Sequence, residues 1–498
     1  MILAKLVLMD LETLVRQLGN WSEGTGPLHR RLAGGLERVI QHGILLPGTK
    51  LPAERNLAEA LALSRTTVVT AYNTLRSEGW LESRTGSGTW VAADRVARER
   101  SKTNVSATDG ASLMNLLLID DHEMVDFAVA TPKPLASLPR SLYTVSPEMQ
   151  EVLLAERSYM PMGLPALRDG VARYYSSLGL PTTAEQILIT SGAQQAISLT
   201  ASLYLRRGDT VLVENPTYFG ALEAFGLAGA RIAPLPVGDQ HIDPQVLRDR
   251  IPATSPRMVY LTPTHHNPTG ALMPEGARRE VARIAEEFGV PIVEDGTLAD
   301  MFLESPPPKP IAAFTHSGPI LTIGSLSKLY WASLRIGWIR ASTAVIEQLA
   351  RIKSTSDMGC ALIPQVIASQ LLEAVDVARS MRREQLLSRR NLLMRLLGEH
   401  LPEWSFCIPT GGLFLWVKAP GYDTRQFAQF AARYCIALTP GSIFTSDGCF
   451  HEYLRIPFLL DEDAMEKGVL RLKQAWEAFR GTASVGARQP VEAVPYVV

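Results

Sequence analysis

An alternation limits the fold of this 498-residue chain more than any other feature. Residues 187–190, 211–214, 258–262, 290–294 and 320–323 are brief apolar runs, each followed by Gly, Pro or Asn and then by a helical pattern. Strands that are apolar throughout are buried on both faces, and strands separated by helices pair in parallel. The stretch from about residue 125 to residue 480 is therefore expected to be α/β, a mostly parallel sheet with helices on both faces.

Length brings in the rest of the organisation, since a single core rarely exceeds ~200 residues and this chain needs two or three. Four further segments are expected: an N-terminal extension (1–25), a compact block (26–91), an exposed linker (92–124) and a disordered tail (481–498). Residues 1–9 are apolar but interrupted by Lys5 and followed by Asp10 and Glu12, which suits a short amphipathic helix over 11–18 better than a signal peptide. No run reaches the ~18–20 apolar residues that span a bilayer. Cys360, Cys407, Cys435 and Cys449 form no Cys-x-x-Cys pair, so neither a disulfide framework nor a cysteine zinc site is expected, and a cytoplasmic location fits. Lys plus Arg (49) nearly cancels Asp plus Glu (50). That excludes a wholly basic nucleic-acid coat protein but not a small DNA-binding domain.

The block 26–91 reads as three helices and a hairpin. Leu32, Leu36, Val39 and Ile40 form a stripe ended by Gly43, and Pro52 and Ala53 open a second helix carrying Leu57 and Leu61. Ser64 is a good N-cap for a third helix that buries Val68, Ala71, Tyr72 and Leu75 and leaves Arg65, Thr66 and Thr67 outside. Two helices with so short a turn, the second presenting Arg and Thr at its start, are the helix-turn-helix geometry for the major groove. The hairpin after Trp80 has a basic, Gly-rich tip, Arg84-Thr85-Gly86-Ser87-Gly88. Eight basic residues against five acidic ones give the block +3, leaving −4 elsewhere, the direction expected of a polyanion-binding head. A helical oligomerisation module with solvated charges is the plainer alternative.

Residues 48–91, containing "LPAER", "SRTT" and the Gly-rich hairpin, closely resemble the winged-helix head of GntR-type regulators. The resemblance implies that Arg55, Ser64, Arg65, Thr66, Thr67 and Gly86 touch operator DNA. Where some relatives have a further Arg, this chain has Val69.

In the long region, Gly324-Ser325-Leu326-Ser327-Lys328 and Leu334-Arg335 space a hydroxyl, an amine and a guanidinium as a phosphate-bearing aldehyde requires: Lys forms a Schiff base and Arg binds phosphate bidentately. Ser191-Gly192-Ala193-Gln194 follows strand 187–190 and opens a helix, whose amides attract a dianion. It is neither G-x-G-x-x-G nor a Walker loop, so no nucleotide is indicated. Tyr218 could lie on an aromatic ring or be core. Asn267 could donate to a phenolate oxygen or merely form the turn before Pro268. Asp295 could hold a pyridine nitrogen protonated or cap its strand. His265 and His266 are neighbours on an extended segment and point opposite ways, so no metal site is expected.

Together these pieces resemble the aspartate-aminotransferase-like, fold-type I pyridoxal-phosphate enzymes over about residues 125–478. The resemblance implies a fold-type I domain with a smaller C-terminal α+β subdomain, and pyridoxal 5′-phosphate as cofactor. Lys328 would carry the internal aldimine and act catalytically. Ser325, Arg335 and the turn Gly192, Ala193 and Gln194 would hold the phosphate. Asp295 would pair with the ring nitrogen, Asn267 would face the ring hydroxyl, and Tyr218 would stack. Tyr159, before Gly163-Leu164-Pro165-Ala166-Leu167-Arg168, matches a Tyr that reaches the neighbouring subunit's phosphate, which implies a homodimer. Arg455 matches the Arg that binds a substrate α-carboxylate. Many relatives have a Tyr shortly after the Asp; here Gly296, Thr297 and Leu298 follow, with Thr297 the candidate substitute.

A GntR-type head on such a body is the arrangement of the MocR subfamily of regulators. The resemblance implies a transcriptional regulator whose body senses pyridoxal phosphate or a small amino compound through aldimine formation. A working aminotransferase with an accessory head is the alternative, and a cofactor-free scaffold a third reading.

Overall fold

The structure, a computed structural model, describes residues 27–41, 49–61, 63–84, 88–92, 124–135, 137–155, 159–238 and 241–486, with single positions at 14, 15, 18, 21 and 45. They fall into two compact units, residues 1–110 and 111–498. The hairpin tip with Gly86, most of the linker and the last twelve residues lie outside the described residues.

In the first unit, α1 (Leu28–Gln41), α2 (Glu54–Ala60) and α3 (Arg65–Ser77) precede a hairpin of β1 (Leu81–Arg84) and β2 (Gly88–Val91). The expected stripes meet: Leu32, Leu36, Val39 and Ile40 pack with Leu57 and with Val68, Ala71, Tyr72 and Leu75. Each such side chain contributes ~1.5–3 kcal/mol when buried. That burial is what keeps α2 folded, since seven residues are too few for a helix to persist alone. Leu61 is only half-buried, because α2 ends one residue before it. Ser64 caps α3, its Oγ accepting from Thr67 N at 3.1 Å. Arg76 ties α3 to its neighbours, donating to Thr89 Oγ1 (3.1 Å) and Glu54 Oε1 (3.4 Å). Leu14, Leu18 and Trp21 are buried in the same core. These three positions of the expected extension thus pack with this unit, and most of the extension lies outside the described residues.

The second unit is built on seven strands in the order β4-β10-β9-β8-β7-β5-β6. These are β4 (Ile187–Thr190), β5 (Thr210–Asn215), β6 (Arg231–Pro236), β7 (Met258–Leu261), β8 (Ile292–Asp295), β9 (Ile320–Ser325) and β10 (Gly337–Arg340). Pairing is parallel from β9 through β6, and β10 runs antiparallel between β9 and β4. Each expected run is a strand, within two residues at either end. Apolar clusters cover both faces.

A smaller five-stranded sheet has the order β11-β12-β14-β13-β3. It comprises β3 (Val125–Phe127), β11 (Ser405–Phe406), β12 (Phe414–Lys418), β13 (Ile436–Pro440) and β14 (Tyr453–Pro457). β3 opens the unit yet pairs in parallel with β13 near its end, which brings the residues after β3 beside β14. The final helix, Glu462–Gly486, continues beyond residue 481, where a disordered tail was expected. Met465, Val469, Leu472, Ala475 and Trp476 anchor it, and a single Gly costs a helix only ~1 kcal/mol, so Gly481 does not stop it.

Candidate functional site

Three separate lengths of chain converge on one cavity of about 470 Å³. The large sheet contributes residues at or just past its strand ends: Ala193 and Gln194 after β4, Tyr218 after β5, Thr262 and Asn267 after β7, Asp295 and Thr297 at β8, and Ser325, Ser327, Lys328 and Arg335 from β9 onward. The segment after β3 adds Ala128, Val129, Ala130 and Thr131, and the small sheet adds Phe414 and Arg455. Ligands of open α/β sheets bind at this end of the strands. Of the expected body residues, Ala193, Gln194, Tyr218, Asn267, Asp295, Ser325, Lys328, Arg335 and Arg455 line this one space. Gly192 is not in the lining but packs against Arg335, which is.

Lys328 is half-buried and its Nζ donates to the Ala130 carbonyl at 2.8 Å. Burial pushes its ammonium down to about 8, helped by Arg455 and Arg335 and opposed by Asp295. The lowered value leaves a larger share of the amine neutral near pH 7, the form that attacks an aldehyde. Asp295 ends β8 and is buried; Thr297 N donates to its Oδ1 (2.9 Å) and Tyr260 Oη to its Oδ2 (2.5 Å). Its neighbour Glu294 lines a different cavity, of about 680 Å³, on the other side of the strand, because successive strand residues face opposite ways. Charged side chains line part of that larger space, but Glu294, Arg278, Asp300 and Arg379 are already bonded to one another or to backbone. The smaller cavity is the one with unsatisfied groups.

Those groups decide what it can hold. Arg335 adopts φ 54° and packs against Gly192, where a Cβ would stand 2.8 Å from its Nη2; with φ 117° as well, position 192 requires glycine. Among the described residues the Arg335 guanidinium makes no ion pair. Beside it are the first-turn amides of helix Ala193–Tyr204, which have no helical partner, and the hydroxyl of Ser327. Ser325, expected to share this task, is engaged by its neighbours: its Oγ lies within hydrogen-bond distance of the Ile336 carbonyl (3.0 Å) and of Ser327 Oγ (3.1 Å), and it accepts from Ser327 N (3.2 Å). This corner is an anion cradle. The hydroxyls of Thr262 and Thr297 and the Nε of Arg455 are buried without a partner among the described residues. A pyridoxal phosphate has a dianion for the cradle, an aldehyde for the amine and a ring nitrogen for the carboxylate, so the residues present fit it.

Tyr218 is fixed by its hydroxyl, which donates to Gln194 Oε1 at 3.0 Å, while Gln194 Nε2 donates to the Gly220 carbonyl at 2.8 Å. Burial pushes this phenol up to about 12. Arg455 is buried among the rings of Phe414, Phe444 and Phe219 at 4.3, 4.9 and 6.0 Å. It donates to the Ala128 carbonyl (2.6 Å) and to Asn267 Oδ1 (3.2 Å), and burial pushes it down to about 10. Asn267 is thus held by its oxygen, which leaves its NH₂ for the cavity. Tyr159 stays outside, 79% exposed. His265 lies under Gly411, where a Cβ would touch its imidazole, and His266 turns to Thr269.

Tyr260, Ser327, Thr262 and the backbone carbonyls of Ala128 and Ala130 escaped the sequence reading. Only Ser327 left a signal, as the middle of Ser-x-Ser-Lys. In the first unit, Ser64, Arg65 and Thr66 are exposed and Thr67 is half-buried at the start of α3, and Arg55 is exposed on α2.

Comparison with known proteins agrees with both halves. Residues 153–472 match the family described as aminotransferase class I and II, and residues 28–91 match bacterial regulatory proteins of the gntR family. The HTH-type transcriptional regulator YdfD of Bacillus subtilis is 30% identical over 90% of this chain and 95% of its own length. The probable rhizopine catabolism regulatory protein MocR of Rhizobium meliloti is 30% identical over 76% of this chain and 78% of its own. Among solved structures, the α-aminoadipate aminotransferase LysN of Thermus thermophilus superposes with TM-score 0.68 at 26% identity, covering 75% of this chain and 96% of that one. The kynurenine aminotransferase of Pyrococcus horikoshii gives TM-score 0.68 at 25% identity over 78% and 99%. These fold relatives are pyridoxal-phosphate enzymes, and the chain belongs to the aminotransferase class I and II family, in the MocR-type group of regulators that carry a GntR helix-turn-helix head.

Proposed function

We propose that the first unit binds operator DNA and that the second holds pyridoxal 5′-phosphate at Lys328 and reads a small amino compound there. One observation carries the reading: a depressed amine, a fixed carboxylate and two guanidiniums share a cavity on the chain that also bears an exposed, Arg-tipped recognition helix. When bound, the cofactor supplies an aldehyde carbon that takes up primary amines and a ring that draws electrons from them. Lys328 Nζ holds or releases the proton exchanged at that carbon. Arg335, Ser327 and the amides of Ala193 and Gln194, over the gap that Gly192 leaves, bind the phosphate, and Ser325 holds Ser327 in place. Asp295 orients the ring through its nitrogen, Asn267 meets the ring oxygen through its NH₂, and Tyr218 covers the face. Arg455 receives the carboxylate of the amino compound, its charge sharpened by the surrounding phenyl rings. Arg55, Ser64, Arg65, Thr66, Thr67 and Gly86 meet the DNA.

Regulation then follows from differential affinity. An amine that favours one state of the body shifts the population of the DNA-competent form by as much as its two affinities differ. A homodimer is part of the reading. Leu154, Tyr159, Met358 and Ile363 are 85%, 79%, 54% and 58% exposed, and a Cβ on Gly359 would touch the Met160 carbonyl at 2.6 Å, which brings the segments of Tyr159 and Met358 together. A second copy would cover this apolar surface and receive Tyr159 at its cavity. The cytoplasm is the proposed location, and no helix among the described residues is long and apolar enough to cross a membrane.

Retention of Lys328 and Asp295 in one cavity also favours a second reading, slow transamination. The test is a titration of the purified protein with amines and amino acids, reading visible absorbance and a gel shift of its upstream DNA in parallel. Salt-sensitive binding that an amine modulates is expected. Steady turnover of donor and keto acid with no effect on DNA would favour the enzyme instead.

A further inference from the structure

The segment after Asp295 lacks the Tyr found in many relatives, yet a different strand brings a Tyr to the same carboxylate. Tyr260 lies in β7, in register with Val293 of β8, and is completely buried. Phe225 packs edge-on against its ring, 5.5 Å away at 70°. Its hydroxyl donates to Asp295 Oδ2 at 2.5 Å while Thr297 N donates to Oδ1 at 2.9 Å. Both oxygens are engaged, so the plane of the carboxylate is fixed. We infer that Tyr260 is a positioning residue that acts through Asp295 to set where the proton shared with the cofactor's ring nitrogen resides. The inference rests on the cofactor reading above.

A hydrogen bond to an ionised acceptor is stronger than a neutral one and favours the charged form. Tyr260 therefore makes Asp295 the weaker base of the pair, and the proton stays on the ring nitrogen, where electron withdrawal depends on it. Burial and Asp295 together hold the Tyr260 phenol far above its ordinary range, so it remains a donor throughout. The other ionisable groups facing the pair are Glu214, pushed up to about 8 by burial, Tyr218, Lys328, Arg335 and Arg455. Each is common to wild type and variant.

Tyr260→Phe removes one oxygen and little volume. Full-length wild type, Tyr260→Phe, Asp295→Asn and the double variant are titrated with pyridoxal 5′-phosphate, and the visible band is followed against pH. Loss of a hydrogen bond to a charged group is expected to weaken cofactor binding about tenfold. A ring without its nitrogen proton draws less charge from its substituents, which then keep their protons longer, so the midpoint of the band should rise by about one pH unit. In the Asp295→Asn background Tyr260→Phe should change neither quantity. An unmoved midpoint, or an equal effect with and without the carboxylate, overturns the inference while leaving the cofactor reading intact. A wild type that stays colourless overturns both. Should Tyr260→Phe fail to fold, a ring-fluorinated tyrosine at position 260 keeps the shape and donates more strongly. The midpoint should then fall, and one that stays put overturns the inference.

Discussion

The two units hold arginines of opposite character. Arg65 stands exposed at the first position of α3, solvated until a phosphate or base edge replaces water. Arg455 is buried in the body, enclosed by phenyl rings and bonded to the Ala128 carbonyl and Asn267. Of the head's groups, Arg55, Ser64, Arg65 and Thr66 stand exposed, so all but the cap Ser64 cost the fold little and can be exchanged singly. The body assembles its groups from three distant lengths of chain and buries Asp295 and Arg455, so those two charges must be met by other groups in the fold. Substitution of an exposed head group other than the cap Ser64 should therefore change binding alone, whereas substitution in the body should disturb chemistry and packing together.

Lys328→Ala offers the sharpest break. Without its amine the body cannot retain the cofactor covalently, and the visible band should vanish entirely in an absorbance scan after desalting. A gel shift with operator DNA should still show binding, insensitive now to added amines. If DNA binding disappeared as well, the head would depend on the body for more than regulation.

The next comparison sets the two arginines against each other. Arg65→Ala should weaken operator binding about tenfold, as loss of one base or phosphate contact does, with the spectrum unchanged. Arg455→Lys keeps a charge but loses the planar fork. It should weaken carboxylate-bearing amines about tenfold or more, read by spectral titration, with little change in DNA affinity without amine. Damage to both functions by either substitution would erase the distinction between the units.

The same distinction explains what could be read from the sequence. The head was legible almost whole, because Ser64, Arg65 and the stripe Val68, Ala71, Tyr72 and Leu75 sit at fixed helical offsets, and cap and period are local rules. The strands of the large sheet were legible for the same reason. Tyr260 was not. Its partner Asp295 lies 35 positions away, and only the parallel pairing of β7 and β8 joins them. The carbonyls of Ala128 and Ala130 were invisible too, since backbone carries no residue signature and β3 reaches the site through β13. Ser325 and Ser327 were told apart only by which hydroxyl already has an acceptor. Contacts that the fold makes across strands leave little trace along the chain.

A pH profile probes the buried side alone. The Lys328 ammonium lies at about 8 rather than 10.5. Only the neutral amine attacks an aldehyde, so the rate of cofactor uptake should climb about fivefold between pH 7 and 8 and then level off. An exposed lysine would go on gaining up to its ordinary value. Stopped-flow absorbance distinguishes the two. A rate still rising steeply at pH 9 would mean that the amine is not held as Ala130, Arg335 and Arg455 require.

Ser64 gives the smallest expected effect and the finest test, because it is both cap and candidate DNA contact. Its Oγ accepts from Thr67 N at 3.1 Å, and removing an N-cap costs about 1 kcal/mol. Ser64→Ala should thus lower the unfolding midpoint of the head slightly and leave the cofactor band untouched. Any fall in DNA affinity, however, would confound a frayed α3 with a lost contact. Ser64→Asp separates the two. Aspartate caps as well as serine and adds a favourable charge at the positive end of the helix, so the head should be as stable as wild type. That charge would face phosphate, so operator binding should fall several-fold, and fall less at high salt, where repulsion is screened. A stable Ser64→Asp head that bound DNA as well as wild type would turn the start of α3 away from the duplex. Arg65 and Thr66 would then lose their assigned role along with it.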